Sequence, residues 1–143
     1  MTAKQQDLQL KQALCPHCWQ PVSVQDNQTY VRHGQWGETG QEPAWCALSD
    51  QPLVPLFLLG QQVMTVGAID ALQSARQDPV SLLRRHQHGD WGELDPADAA
   101  ENVRSVKAGW RILSSYPLPT GQKIWLITEW DRSVSTLLLP SEY

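Results

Sequence analysis

The sequence predicts an α+β fold in which helices pack on a three- or four-stranded antiparallel sheet, with a small β-rich part before it. In the second half, Asp-Pro occurs twice, and each pair places an N-cap before a proline at the first helical position. Three apolar segments with short turns between them follow, which is typical of an antiparallel meander. In the first half, a Cys-x-x-Cys motif precedes a predicted hairpin. These observations divide the chain into residues 1–59 and 60–143.

Residues 1–59 are predicted to form a zinc-ribbon-like part. Leu8, Leu10 and Leu14 give the first residues a weak apolar stripe with helical spacing. Alternating apolar residues flank Asp26-Asn27, which predicts a hairpin. The predicted elements are a helix at 3–14, that hairpin, a loop at 33–42 and a strand at 44–48. The apolar stretch 52–60 contains two prolines, so it predicts a short buried strand near its end or a strap between the two parts.

Residues 60–143 are predicted to form the α+β body. Its predicted elements are a strand at 63–66, helices at 67–75, 78–86 and 95–108, and strands at 111–118, 123–130 and 134–139. The helix at 95–108 has the strongest pattern, because Asp95 caps its start and Gly109 follows its end. Its apolar residues share one face, which is predicted to pack on the sheet. They are Ala99, Val103, Val106 and Trp110.

Composition excludes several classes of protein. The 143 residues carry a net charge of −4, with 41% hydrophobic and 18% charged residues, which argues against disorder and against polybasic nucleic-acid binding. The 3 cysteines are too few for a disulfide scaffold. No apolar run of about 18 residues predicts a membrane span, and the polar first 14 residues do not resemble a signal peptide. A cytoplasmic protein is therefore expected.

The cysteines predict a zinc site. Cys15 to Cys18 form one tight turn, called the knuckle below. Its two cysteine thiolates can bind one zinc ion at about 2.3 Å. Cys46 can supply a third ligand, but a second knuckle would place its partner at position 49, which is Ser49. His33, in the loop between them, is predicted to complete a structural Cys3His site.

Other interpretations of the cysteines stay open at this point. His17 lies too close to both knuckle cysteines in sequence to be the easy choice of fourth ligand, whereas Asp50 is a possible one. The cysteines can also be free remnants of a ribbon, with tryptophans filling the space that a metal would occupy. A redox dithiol is a third reading, although no thioredoxin-like βαβ pattern surrounds the motif.

Two six-residue segments match at five of six positions, namely HGQWGE at 33–38 and HGDWGE at 88–93. Glycine beside tryptophan allows a sharp turn with the indole folded on the neighbouring core. The alternative is a pair of surface loops that present Trp36, Glu38, Trp91 and Glu93 to a partner, since tryptophan is a strong interface anchor.

A polar cluster in the second copy raises the possibility of catalysis. The cluster consists of His86, His88, Asp90 and Glu93. Histidine and carboxylate groups can bind a divalent metal or perform acid–base chemistry. The spacing, however, matches no metalloprotease motif, and the chain has no glycine-rich phosphate loop and no Gly-x-Ser-x-Gly elbow. An enzyme is therefore not the leading prediction.

The last 80 residues contain seven short motifs. They are Arg85-His86, Gly-Asp-Trp-Gly at 89–92, the capped helix start at 95–102, Leu-Ser-Ser-Tyr at 113–116, Trp-Leu-Ile-Thr-Glu at 125–129, Asp-Arg-Ser at 131–133 and Thr-Leu-Leu-Leu-Pro at 136–140. With these, the chain from about residue 64 resembles a family of small proteins of bacterial plasmids and integrative elements. Members of that family often carry the label of restriction-modification subunit. No nucleotide-binding motif here supports methyltransferase chemistry.

The leading functional prediction is a non-enzymatic accessory protein of a mobile genetic element. It is expected to act by binding another protein, such as a host defence or DNA-processing protein, because the chain is acidic and its loops are rich in tryptophan and glycine. One alternative is a zinc-dependent nucleic-acid-binding or regulatory protein. Another is a small metal-dependent hydrolase that uses the cluster at 86–93. No membrane partner is expected.

Overall fold

The computed structural model describes residues 9–35 and 44–143. The strands are β1 (Gln12–Leu14), β2 (Pro21–Ser23), β3 (Gly34–Gln35), β4 (Ala44–Trp45), β5 (Gln61–Met64), β6 (Ile112–Pro117), β7 (Lys123–Thr128) and β8 (Val134–Leu138). The helices are α1 (Val66–Ala75), α2 (Pro79–Gln87) and α3 (Pro96–Ala108), and a 3-10 turn follows at Pro140–Glu142. In the part of the chain so described, no helix has the length and apolar character needed to cross a membrane.

The body is α+β, as predicted, but its sheet is mixed rather than antiparallel. The strand order is β5-β8-β7-β6. Strands β6, β7 and β8 form the predicted antiparallel meander. Strand β5, however, runs parallel to β8, with Gln61 opposite Val134 and Met64 opposite Leu137. Three helices separate β5 from the meander, and a crossover of this length allows the parallel orientation that a short turn forbids.

The main core lies between the sheet and helices α1 and α2. Alternate residues of the strands face it, so Leu126 of β7 is paired with Leu137 of β8 and both are fully buried or nearly so. The buried members of this cluster are Ala68, Ala71, Leu72, Leu82, Leu83, Tyr116, Leu118, Ile124, Leu126 and Leu137. Burial of these apolar side chains is the main term that stabilises the body.

The helix starts follow the predicted capping chemistry. The carboxylate of Asp78 accepts the backbone N–H of Val80 at 2.9 Å, and that of Asp95 accepts the N–H of Asp98 at 2.9 Å. Gly109 ends α3 in the left-handed conformation, with φ of 77°. That turn takes Trp110 off the apolar face of α3 and leaves it 52% exposed. The prediction that Trp110 shares this buried face was therefore wrong.

Replacing Asp95 by alanine is expected to lower the free energy of unfolding by about 1 kcal/mol. The substitution removes the one side-chain oxygen that accepts the N–H of Asp98 at the start of α3. Urea unfolding followed by circular dichroism measures the change. Glu101→Ala removes the same charge from the exposed face of α3 and serves as the control, with an expected change below about 0.5 kcal/mol. Equal losses in the two variants would contradict the capping role.

The outer edge of β6 is covered by two other segments. The side-chain amide of Asn102 in α3 donates to the Leu113 carbonyl at 2.6 Å and accepts its N–H at 3.2 Å. Farther along the edge, Ser115 donates its N–H to the Trp91 carbonyl at 3.0 Å and accepts the N–H of Glu93 at 2.6 Å. These bonds satisfy a sheet edge that would otherwise be free to pair with another chain.

Residues before 60 contain short β elements rather than the predicted N-terminal helix. Residues 1–8 lie outside the described residues, but Gln12–Leu14 is strand β1, antiparallel to β2. The helix prediction is wrong there because Ala13 and Leu14 are both buried, one in each of two apolar clusters, which alternating strand geometry allows. The hairpin at Asp26-Asn27 is confirmed by the bridge between Val24 and Tyr30.

The stretch from Pro52 to Gly60 forms a strap between the two parts and contains no strand beyond a single bridge at Pro52. Leu56 donates its backbone N–H to the Gln87 carbonyl at 2.9 Å, and the Gln87 side chain donates to the Phe57 carbonyl at 2.9 Å. Phe57 is buried against the body, whereas Leu58 is 73% exposed. The strap alternative is therefore the one that the structure adopts. Division of the chain at residue 59 into two units stays a prediction.

Candidate metal centre

Four predicted side chains meet at one point. Cys15 and Cys18 lie on the turn between β1 and β2, His33 directly precedes β3, and Cys46 directly follows β4. One ligand atom from each, Sγ or a ring nitrogen, lies within 4.8 Å of all the others. Among residues 9–35 and 44–143, this is the one group of three or more Cys, His, Asp or Glu side chains with that geometry.

The sulfur spacing suits a tetrahedral metal ion. The Sγ atoms of Cys15 and Cys46 are 3.8 Å apart, and all three cysteines are free thiols. Two sulfurs that each lie about 2.3 Å from a tetrahedral zinc ion are separated by about 3.8 Å. A disulfide would require about 2.05 Å. The observed spacing therefore fits thiolates that share a metal.

One ring nitrogen of His33 is free to bind a metal. Its Nδ1–H donates to the backbone carbonyl of Val31 at 2.7 Å, which leaves Nε2 with a free lone pair. Nε2 is buried and has no hydrogen-bond partner. A buried nitrogen without a partner is costly, and a metal ion would satisfy it. A backbone carbonyl on the opposite nitrogen is also the usual means of orienting a histidine ligand.

The cysteine turn stabilises negative charge unevenly. Burial acts to raise the pKa of Cys15, but the backbone N–H groups of Cys18 and His17 point at its sulfur, and the pKa falls to about 7. The pKa of Cys18 rises to about 11, first because of burial and then because of the neighbouring Cys15 and Cys46. Three thiolates this close repel each other, and a divalent cation among them removes that repulsion.

Position 49 has a supporting role rather than a ligating one. The Ser49 hydroxyl accepts the backbone N–H of His33 at 3.0 Å and donates to its carbonyl at 3.0 Å. The residue that replaces the expected fourth cysteine thus holds the segment that carries His33. Asp50, another candidate, instead pairs with Arg32 at 3.1 Å.

His17 has a contact that the sequence did not predict. Its Nδ1 lies 3.5 Å from the Sγ of Cys46, from the side of the exposed knuckle tip. Its place between the two knuckle cysteines is the one sequence signal that points to this contact. Beneath the cluster, an apolar layer packs around the fully buried Tyr30. That layer contains Ala13, Val22, Val24, Leu48 and Leu53.

The predicted partner-binding residues differ in where they lie and how exposed they are. Trp36 and Glu38 lie outside the described residues. Glu93 is exposed, and its carboxylate is 3.4 Å from the Lys123 ammonium. Trp91 is only 8% exposed and stacks on Phe57, with ring centroids 6.5 Å apart. The expectation that Trp91 is an exposed anchor was therefore wrong. Gly89 and Gly92 adopt positive φ. The segment 88–93 is therefore a sharp turn with its indole folded on the core, which was the alternative interpretation.

Replacing Trp91 by alanine is expected to lower the free energy of unfolding by about 3–5 kcal/mol. The indole fills the space between Phe57 and the fully buried Ile112, where the surrounding side chains are held by strands and the strap. Urea unfolding measures the loss. Trp130→Ala is the matched control, because Trp130 is 66% exposed and its removal is expected to change the value by less than about 0.5 kcal/mol. A loss below about 1 kcal/mol for Trp91→Ala would contradict its place in the core.

The other cluster, at 86–93, is dispersed. His86 is fully buried, and His88 is only 3% exposed with a buried Nδ1 that has no partner. Asp90 forms a two-bond ion pair with Arg85, at 2.7 and 3.3 Å, and Glu93 faces Lys123. These four side chains do not form a shared metal-binding group among the described residues. The arrangement gives no support to the metal-dependent hydrolase reading.

His86 instead belongs to a directional chain of buried hydrogen bonds. The Ser135 hydroxyl donates its proton to the Leu59 carbonyl at 2.7 Å, so it accepts from Thr128 at 2.7 Å. Thr128 then accepts from Nε2–H of His86 at 2.9 Å, and Nδ1 accepts from the Ser114 hydroxyl at 2.5 Å. Each proton has one place in this chain, which makes His86 a neutral structural residue.

Comparisons with protein-family models, with curated proteins and with solved structures find no match to this chain. The cluster of Cys15, Cys18, His33 and Cys46 is therefore the feature of the described residues that points to a function. With three sulfur donors and one imidazole, this set favours zinc among the common divalent metals.

Proposed function

We propose that the protein binds one zinc ion through Cys15, Cys18, His33 and Cys46. The observation that carries the proposal is the mutual distance of the four ligand atoms, each within 4.8 Å of the others. The lone pair on His33 Nε2 and the sulfur spacing support the same conclusion. A reducing cytoplasmic location suits the site, because the thiols must stay free to bind the metal.

The zinc has a structural role in this proposal. Four protein ligands fill a tetrahedral shell, whereas a catalytic zinc site keeps one position for water or substrate. Cys15 is fully buried and the apolar layer around Tyr30 lies directly beneath it, which supports a metal that holds two short hairpins together. Each hairpin is too short to be stable alone in water.

Elemental analysis and cobalt substitution test this proposal. Purified protein is expected to contain one zinc per chain, and cobalt(II) in its place is expected to give the intense visible bands of a tetrahedral site with thiolate-to-cobalt charge transfer. Cys46→Ser and His33→Ala are expected to lose the metal or change those bands. Protein with no zinc after purification that also gives no tetrahedral cobalt spectrum contradicts the proposal.

We further propose that the zinc-bearing protein acts by binding another protein. Two large apolar side chains support a contact surface on the body, namely Trp110, which is 52% exposed, and Trp130, which is 66% exposed. Arg132 connects them, since it donates to the Trp110 carbonyl at 2.5 Å and lies two residues after Trp130. The resemblance from residue 64 supports an accessory protein of a mobile element. The partner class that we propose, a host defence or DNA-processing protein, is motivated by the acidic charge of the chain and its loops rich in tryptophan and glycine.

Affinity capture from the host, with a double Trp110→Ala and Trp130→Ala variant, tests the second proposal. A named partner captured by the wild type is expected to lose at least about tenfold affinity for the double variant in a purified binding assay. Leu58→Ala, which removes an apolar side chain of the strap that is 73% exposed, is expected to bind normally. Equal affinity of all three proteins for that partner contradicts the surface. Salt-dependent binding to DNA instead would favour the nucleic-acid alternative.

A further inference from the structure

The two residues that flank the cysteine knuckle both belong to the interface with the body. Leu14 precedes Cys15 and Trp19 follows Cys18. Both side chains lie in the apolar cluster built around Trp91 and Ile112. The other side chains of this cluster are Leu56, Phe57, Leu59, Leu94, Ala99, Val103 and Val106. The knuckle is therefore a direct continuation of the surface that docks on α3 and the β6 edge.

Trp19 occupies an unusual backbone conformation at this point. Its φ is 58°, in the left-handed region, which is unfavourable for a bulky side chain. Its N–H donates to the Cys15 carbonyl at 2.8 Å, which closes the knuckle turn. The same turn directs the indole to α3, where the Lys107 ammonium lies 4.6 Å from the ring centroid. The closure of the knuckle turn and the contact of Trp19 with α3 thus both depend on the left-handed backbone conformation of Trp19.

A backbone bond joins the other side of the knuckle to the body. The N–H of Leu14 donates to the carbonyl of His88 at 2.7 Å, and the next residue is the ligand Cys15. His88 lies at the end of α2, and the same helix end receives the strap through Leu56 and Gln87. Metal at Cys15 and Cys18 would therefore hold both interface residues, Leu14 and Trp19, at the spacing that docking requires.

We propose that metal binding and docking of residues 9–35 and 44–59 on the body are one coupled equilibrium, so that loss of the metal releases this part and exposes the apolar surface around Trp91. The proposal rests on zinc binding at the Cys3His cluster. Because coupling free energy is reciprocal, substitutions on α3 that weaken docking must also weaken metal binding, although they lie outside the ligand set. This reciprocity distinguishes metal binding that is coupled to docking from a metal that stabilises only its own hairpins.

Zinc affinity of two α3 variants tests the coupling. Val106→Ser removes apolar contact with the cluster around Trp91 and Ile112, and it is expected to weaken zinc binding by at least about fivefold in competition with a chromophoric chelator. Lys107→Ala removes the cation over Trp19 and is expected to weaken it by about two- to fivefold. Arg104→Ala removes the same charge from α3, where its partner is Glu101, and is expected to leave the affinity within about twofold.

Amide hydrogen exchange gives a second measurement on the full chain. Removing zinc with a chelator is expected to speed exchange at the Leu14 and Leu56 amides, which donate to the body. The Ser115 amide, which donates to Trp91 within the body, is expected to keep its protection. Equal zinc affinities of the wild type, Val106→Ser and Lys107→Ala would overturn the proposed coupling, and so would unchanged exchange at Leu14. Neither result would contradict zinc binding itself. A wild-type chain that does not bind zinc overturns both proposals.

Discussion

Zinc is expected to raise the free energy of unfolding by about 4 kcal/mol when its free concentration is about 1,000 times the dissociation constant. In the proposed site, the ion binds the folded arrangement of Cys15, Cys18, His33 and Cys46, and separated thiols in the unfolded chain would bind it far less well. Urea unfolding in zinc buffers of known free concentration measures the increase. The midpoint is expected to move upward continuously with zinc, by mass action.

Two variants sharpen this expectation. Cys15→Ser removes the buried ligand, and the rise with zinc is expected to disappear. Ser49→Ala is the contrasting variant, because the Ser49 hydroxyl contacts the backbone of His33 rather than the metal cluster. It is expected to retain one zinc per chain and most of the rise. A zinc-dependent rise of equal size in the Cys15→Ser variant would contradict the assigned ligand set.

Acid is expected to destabilise the body through two buried histidines. Burial, and then the nearby Arg132 charge, lowers the pKa of His86 to about 3. Burial, and then Arg84, lowers the pKa of His88 to about 4, although a bond to the Val54 backbone opposes this. Both are below the value of about 6.5 for an unfolded histidine. Between the folded-state pKa of each histidine and 6.5, the unfolded chain binds more protons than the folded one. The free energy of unfolding therefore has its full value above pH 6.5 and falls as the pH is lowered below it.

The expected size of this effect is about 1.4 kcal/mol per histidine for each pH unit below 6.5. The two histidines together then cost about 4 kcal/mol at pH 5 relative to neutral pH. Urea unfolding over pH 5 to 8 measures the slope. In His86→Gln and in His88→Gln the slope is expected to fall by about 1.4 kcal/mol per pH unit, and zinc release, which all three proteins share, cancels in the comparison. Equal slopes in all three proteins would show that neither histidine titrates as described.

The helices and the meander were predictable because their signals are local. Asp78 and Asp95 cap helices that start where proline follows each of them, and Gly109 ends α3 as expected. The turns between β6, β7 and β8 are short, and a short turn can join two neighbouring strands only when they are antiparallel. The parallel position of β5 was not predictable, since it depends on where three intervening helices return the chain.

The candidate metal centre was predictable for a chemical reason. Cys-x-x-Cys and a third cysteine restrict the ligands to few choices, and His33 was the histidine between them. The contact of His17 with Cys46 depends on how the knuckle tip folds back over residues 44–46, and the position of His17 between the two knuckle cysteines was its one sequence signal. Trp91 shows the converse, because the same six-residue pattern suits an exposed anchor and a buried turn equally well.

Local chemistry, read from the sequence alone, determined the helix caps, the turn glycines, the meander and the residues of the candidate metal centre. Tertiary structure alone decided which tryptophans are buried, how β5 joins the sheet, and that the knuckle flanks Leu14 and Trp19 pack against the body. The physical reason is range. Capping, turn formation and ligand type act within a few residues of chain, whereas burial depends on contacts between segments that are distant in sequence.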